Sequence, residues 1–167
     1  MNGLSTSPRS TEILLVEDNE DDVILTRQSF RAAKLLVNLH AVEDGEQCMA
    51  FLRRQPPFEN APTADLVLLD LNLPVMDGRE VLAAINNDDA LRHLPVIVLT
   101  TSAAETDILK MYKLRCNSYI VKPVKFERFL DVIATLENYW LTIVTLPGGP
   151  ERSNPRLHPG PLEGPGI

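Results

Sequence analysis

Between Leu66 and Gly78 the chain reads LVLLDLNLPVMDG, and this stretch limits the possible folds more than any other. Four apolar residues, Leu66 to Leu69, run without interruption into the carboxylate of Asp70. A short run with no polar alternation suits a strand covered on both faces, the usual situation in a parallel sheet. Pro74 stops the strand from continuing. Asp77 followed by Val81, Leu82 and Ile85 then has the acid-first, 3.6-residue pattern of a helix start. Asp70 is therefore expected in a strand-to-helix loop at the carboxyl edge of a sheet, where open α/β sheets bind their ligands.

The same design recurs along the chain. Ile13 to Val16 runs into Glu17 and Asp18, and Asn19 to Asp22 offers caps and first-turn acids for a helix to about Lys34, with Leu25, Phe30 and Ala33 as its apolar face. Val37 to Val42 reads as a second strand, and Asp44-Gly45 turns the chain into a helix carrying Cys48, Phe51 and Leu52. Gln55 to Asp65, with three prolines, is a loop. Val96 to Leu99 ends in the hydroxyls Thr100, Thr101 and Ser102, and a polar helix is expected over 104–114. Ser118 to Val121 ends at Lys122-Pro123, before a last helix starting near Lys125. Strict β-α alternation predicts a doubly wound, five-stranded parallel α/β sheet with right-handed crossovers. In the strand order 2-1-3-4-5 the ligand site falls between strands one and three, which brings Glu17, Asp18 and Asp70 together, with Thr100 and Lys122 on the same rim.

A chain of 167 residues holds one domain of ordinary size, expected over 12–146 after a flexible polar arm at 1–11. The last 21 residues, PGGPERSNPRLHPGPLEGPGI, contain six prolines and five glycines and cannot bury a core, so 147–167 is expected to be a disordered tail with no output domain in it. The net charge of −7 and the absence of a Lys/Arg run argue against a nucleic-acid surface. Two cysteines without metal-ligand spacing suit a reducing compartment. No signal peptide and no apolar run of about 18 residues is present, so a soluble cytoplasmic protein with no membrane contact is expected.

Three converging carboxylates repel one another, by roughly 1 kcal/mol per pair at 4 Å in water and 4 kcal/mol at an effective dielectric of 20. A cation belongs among them, and hard oxygen donors that leave room for water point to Mg²⁺ or Mn²⁺. A carboxylate beside such an ion and the Lys122 ammonium can accept a phosphoryl group, whose spread charge both neutralise. The Thr100 hydroxyl can then donate a hydrogen bond to a phosphoryl oxygen. Taken singly, each feature is ordinary: a solvated helix start, a Lys-Pro turn, a threonine cap, and at Tyr119 a core aromatic with a wet hydroxyl. Their arrival in order, each at the end of a predicted strand, favours the chemical reading.

The segments LLVEDN, LVLLDLNLPVMDG, LPVIVLTTS and SYIVKP, within Glu12 to Leu136, resemble the receiver domains of two-component response regulators, which have a flavodoxin-like fold. The resemblance implies that Asp70 is phosphorylated by a histidine kinase. It also implies that Asp18, Asp70 and the Asn72 backbone carbonyl bind the metal, with Glu17 reaching it through water. Thr100, Thr101 and Lys122 would contact the phosphate, Tyr119 would be the switch aromatic, and the Lys122-Pro123 bond would be cis. EDNEDD and YWLTIVTLP are similar to the small single-domain regulators of phytochrome kinases. Two departures stand out: Glu17 replaces a common Asp, which bears on metal affinity, and Arg115-Cys116 replaces Gly-Ala where a left-handed helix cap is expected. The implied role is a phosphorylation-switched signalling protein rather than an enzyme acting on external substrates. The alternative, an Mg²⁺-dependent aspartyl-phosphate hydrolase, would need a second acid two residues after its nucleophile, where this chain has Asn72.

The last predicted helix extends its apolar stripe (Phe126, Phe129, Leu130, Ile133, Leu136, Trp140, Val144) past the reach of the sheet. Trp140, Leu141, Ile143 and Val144, with Leu146, are expected to be covered, either by folding back on their own domain or, as the sharper expectation, by a second copy in a twofold homodimer.

Overall fold

The computed structural model describes residues 10–32, 37–101, 113, 115, 116 and 118–133. Strands β1 (Thr11–Val16), β2 (Val37–Val42), β3 (Leu66–Asp70), β4 (Val96–Thr100) and β5 (Ser118–Val121) pair in parallel in the order β2-β1-β3-β4-β5. The described helices are α1 (Glu20–Ala32), α2 (Gly45–Arg53), α3 (Gly78–Asn86) and α4 (Phe126–Ile133). The helix expected over 104–114 lies outside the described residues except for Lys113, and so do Trp140, Leu141, Ile143, Val144 and the 147–167 tail.

Side chains alternate across the sheet with period two, and each face has its own core. Leu14, Val16, Val67, Leu69, Val96 and Val98 pack with Cys48, Phe51, Val81, Leu82 and Ile85 of α2 and α3. Ile13, Leu15, Leu66, Leu68, Ile97, Leu99 and Ile120 pack on the other face with Phe30 of α1 and Phe129 and Val132 of α4. This two-faced burial is what the uninterrupted apolar runs require. Both cysteines are buried and free, as small core residues.

Three expectations are corrected. Thr11 is the first residue of β1 and fully buried, so the ordered strand opens one residue inside the expected arm. Leu25 does not belong to the buried face of α1: it is half exposed, like Ile24, while Thr26 and Phe30 face the core with Val23 beside them. The reason is tertiary, because the Phe30 ring lies 4.6 Å from that of Phe129 and 5.8 Å from that of Phe126, which fixes the rotation of α1. The buried stripe of α4 also includes Val132, absent from the stripe read off the sequence. Arg115 adopts the left-handed conformation (φ 66°), so that geometry is kept without the glycine. Among the described residues, no helix is long and apolar enough to cross a membrane.

Candidate functional site

Asp70 ends β3 and is 4 % exposed. The chain then folds back on it. The Asn72 N–H donates to Asp70 Oδ1 at 3.2 Å, and the Gly78 N–H donates to the Leu71 carbonyl at 3.0 Å. Asp77 caps α3 by accepting from the Arg79 N–H at 2.7 Å, while Glu80 Oε1 accepts from the Asp77 N–H at 2.9 Å. Val75, in the turn between, is exposed and sits at φ 66°, a conformation costing a β-branched residue about 1–2 kcal/mol. Gly78 lies so close to β3 that a Cβ there would meet the Asp70 carbonyl and stand 2.7 Å from Leu71 Cα.

β1 delivers Glu17, 2 % exposed, and Asp18, which is exposed beside it. The Glu17 N–H donates to the Val42 carbonyl at 3.0 Å, and Glu17 Oε2 accepts from the Asn19 N–H at 3.2 Å, so the strand end is held from both sides. β5 delivers Lys122, whose N–H donates to the Thr100 carbonyl at 2.8 Å. The alternation that puts Leu15, Leu68 and Ile120 on the α1 face brings Glu17, Asp70 and Lys122 to that face at the sheet edge. The Lys122 Nζ lies 2.7 Å from Glu17 Oε1, 3.1 Å from Asp70 Oδ2 and 3.2 Å from Asp22 Oδ2. The Lys122-Pro123 peptide bond is cis.

Thr100 is buried at the end of β4, one residue beyond the partner of Asp70 in the β3–β4 register. Thr101 is exposed at the edge. Tyr119 pairs with Val98 and packs into the α2/α3 core, so by period two it shares a sheet face with Thr100 on the neighbouring strand. Glu17, Asp18, Asp70, Thr100 and Lys122 stand at strand ends where the sequence puts them, and Tyr119 lies within β5. Asp22 is the addition: it bonds a lysine 100 positions away, and spacing carries no signal for that.

The electrostatics follow from one ammonium shared by three carboxylates. Burial pushes the Glu17 carboxyl up from 4.5 to about 7; the bond from Lys122 opposes this and the charge of Asp70 adds to it. Burial alone would lower Lys122, but the bonds to Glu17 and Asp70 outweigh it and hold the ammonium above its ordinary value. One carboxylate oxygen each from Glu17, Asp18 and Asp70 lies within 4.8 Å of the others. A groove of about 820 Å³, lined by Asp18, Asn19, Glu20, Asp21 and Glu43, opens beside them and leaves room for water ligands. Hard, anionic oxygens with space for water fit a divalent cation.

Residues 13–134 match the model of the response regulator receiver domain. The chain belongs to that family. Rcp1 of Synechocystis sp. is 42 % identical over 135 residues, which span 81 % of this receiver and 92 % of Rcp1. The crystal structure of the Mn²⁺-bound form of Rcp1 superposes with a TM-score of 0.66, covering 82 % of this chain and 99 % of that one. The phosphorylated cyanobacterial phytochrome response regulator RcpA gives 0.67 at 41 % identity, covering 83 % and 99 %. The bacteriophytochrome response regulator AtBRR gives 0.73 at 38 % identity, covering 80 % and 96 %. The receiver is thus a phosphoacceptor signalling protein related to phytochrome response regulators, and the hydrolase alternative is not favoured.

Proposed function

We propose that Asp70 accepts a phosphoryl group from a phytochrome-type histidine kinase. The observation that carries this reading is the Lys122 ammonium, 3.1 Å from Asp70 Oδ2 and anchored by Glu17. An Asp70 carboxylate oxygen attacks phosphorus, the P–N bond to the kinase histidine breaks, and its electron pair returns to the imidazole. Lys122 and the Thr100 hydroxyl then hold phosphoryl oxygens. Asp18, Asp70, the Asn72 backbone carbonyl and, through water, Glu17 are the groups that would bind Mg²⁺. When bound, that ion supplies positive charge against the transferring oxygens. The likeness to RcpA, a cyanobacterial phytochrome response regulator, and to the bacteriophytochrome response regulator AtBRR supports this kinase class.

Readout follows from the Thr100 and Tyr119 placement. A Thr100 hydroxyl drawn toward the phosphoryl group vacates space on the face that Tyr119 shares, and Tyr119 with exposed Thr101 reshapes the β4–β5 surface. Two free, buried cysteines suit a cytoplasmic setting. The deciding experiment is transfer from a phytochrome histidine kinase autophosphorylated with labelled ATP. Label should pass to the wild-type receiver in Mg²⁺ and not to Asp70→Asn. Label that stays on the kinase, or reaches the Asn variant equally, contradicts the reading.

A further inference from the structure

Asp22 belongs to no strand end, yet its Oδ2 lies 3.2 Å from the Lys122 ammonium. The geometry is built rather than incidental. α1 leaves β1 over the sheet face on which Glu17, Asp70 and Lys122 emerge, so its first turn overhangs the ammonium. The Asp22 backbone is pinned there: its N–H donates to Asn19 Oδ1 at 3.0 Å, and its carbonyl accepts from the Thr26 hydroxyl at 2.8 Å.

Among the described residues, the carboxylates that converge closely enough for one cation are Glu17, Asp18 and Asp70, without Asp22. Two of these three, Glu17 and Asp70, are also the other partners of Lys122. A divalent cation that draws on them therefore competes with the ammonium for the negative charge of the same two carboxylates. The Lys122 side chain is only 10 % exposed, and a charge that buried is costly to leave unpaired. Asp22 is the carboxylate that stays with it.

We propose that Asp22 is a positioning residue that keeps the Lys122 ammonium paired when Glu17 and Asp70 turn to a divalent cation, so that lysine and cation occupy the site together. This rests on the reading of Glu17, Asp18 and Asp70 as the cation site of a phosphoacceptor.

The test is Mn²⁺ affinity of the full chain, read by electron paramagnetic resonance of free and bound ion. Asp22→Asn is compared with Asp21→Asn, which removes the same charge and the same first-turn acid of α1 but no bond to Lys122. Asp22→Asn should weaken binding at least ~5-fold, the lower end of typical site couplings, against ~2-fold or less for Asp21→Asn. In a Lys122→Met background the two should become equal, which a merely structural role of Asp22 would not produce. Equal losses in the wild-type background, a gap that survives Lys122→Met, or a wild-type chain that binds no Mn²⁺ would each overturn the proposal. Phosphorylation of Asp70 is scored separately by intact mass. A chain that takes the phosphoryl group yet shows equal Asp21 and Asp22 effects fails only this inference. One that shows the predicted Mn²⁺ pattern but takes no phosphoryl group fails only the functional reading.

Discussion

Glu17 is nearly without water, touches one ammonium and faces the charge of Asp70, and burial prevails in lifting its carboxyl to about 7. Between pH 4.5 and 7 the unfolded chain releases this proton while the folded chain keeps it, so the folded state binds more protons and loses stability as pH rises. In chelator, the stability gap between wild type and Glu17→Gln should therefore shift against wild type across that window, by up to roughly 3 kcal/mol. Denaturant melts at stepped pH measure it, and parallel curves for the two proteins would contradict the assignment. Asp70, Thr100 and Lys122 were legible in the sequence because each is the first polar group after an apolar run. Asp22 was not, because its partner lies a hundred residues away and only the tertiary fold joins them. The cysteines were legible as core residues, and burial pushes the thiols to about 12 at Cys48 and about 11 at Cys116.

Strands were the easiest elements to read, since a parallel sheet covered on both faces leaves an unbroken apolar run as its signature. Helix faces were harder. The Val23-Ile24-Leu25 run of α1 offers several possible inward rotations, and contact with α4 chose the one that exposes Leu25. The β3–α3 junction shows the same limit: Asp77 announced a cap, but nothing in the spacing announced how closely Gly78 approaches Asp70. A Cβ at Gly78 would press on the backbone of Asp70 and Leu71, neither of which can move without disturbing the site. Gly78→Ala should destabilise the fold by about 1–3 kcal/mol and slow phosphoryl uptake at Asp70. Thermal melts together with an uptake time course check both, and a variant with wild-type stability and rate would show that the junction relaxes freely.

At the scale of the molecule, the ends of β1, β3, β4 and β5 gather acid, hydroxyl and ammonium groups at one edge of the sheet, with an apolar core on each face beneath it. Strict β-α alternation made the parallel sheet legible, whereas the order 2-1-3-4-5, and with it the site between strands one and three, came from the resemblance to receiver domains, because alternation alone suits more than one doubly wound order. Self-association is read from the sequence alone. Five large apolar residues follow one another closely at Trp140, Leu141, Ile143, Val144 and Leu146, and the homodimer expected from them predicts that wild type associates at micromolar concentration in sedimentation and that Trp140→Ala shifts toward monomer. A wild type that stays monomeric at high micromolar concentration, with and without a phosphoryl donor, would contradict it. Phosphoryl transfer to Asp70 at this edge is read most directly by intact mass after incubation with a small acyl phosphate or amidophosphate and Mg²⁺. Wild type should gain one phosphoryl group and Asp70→Asn none; an unchanged wild-type mass, or an equal gain in the Asn variant, would rule out Asp70 as the acceptor.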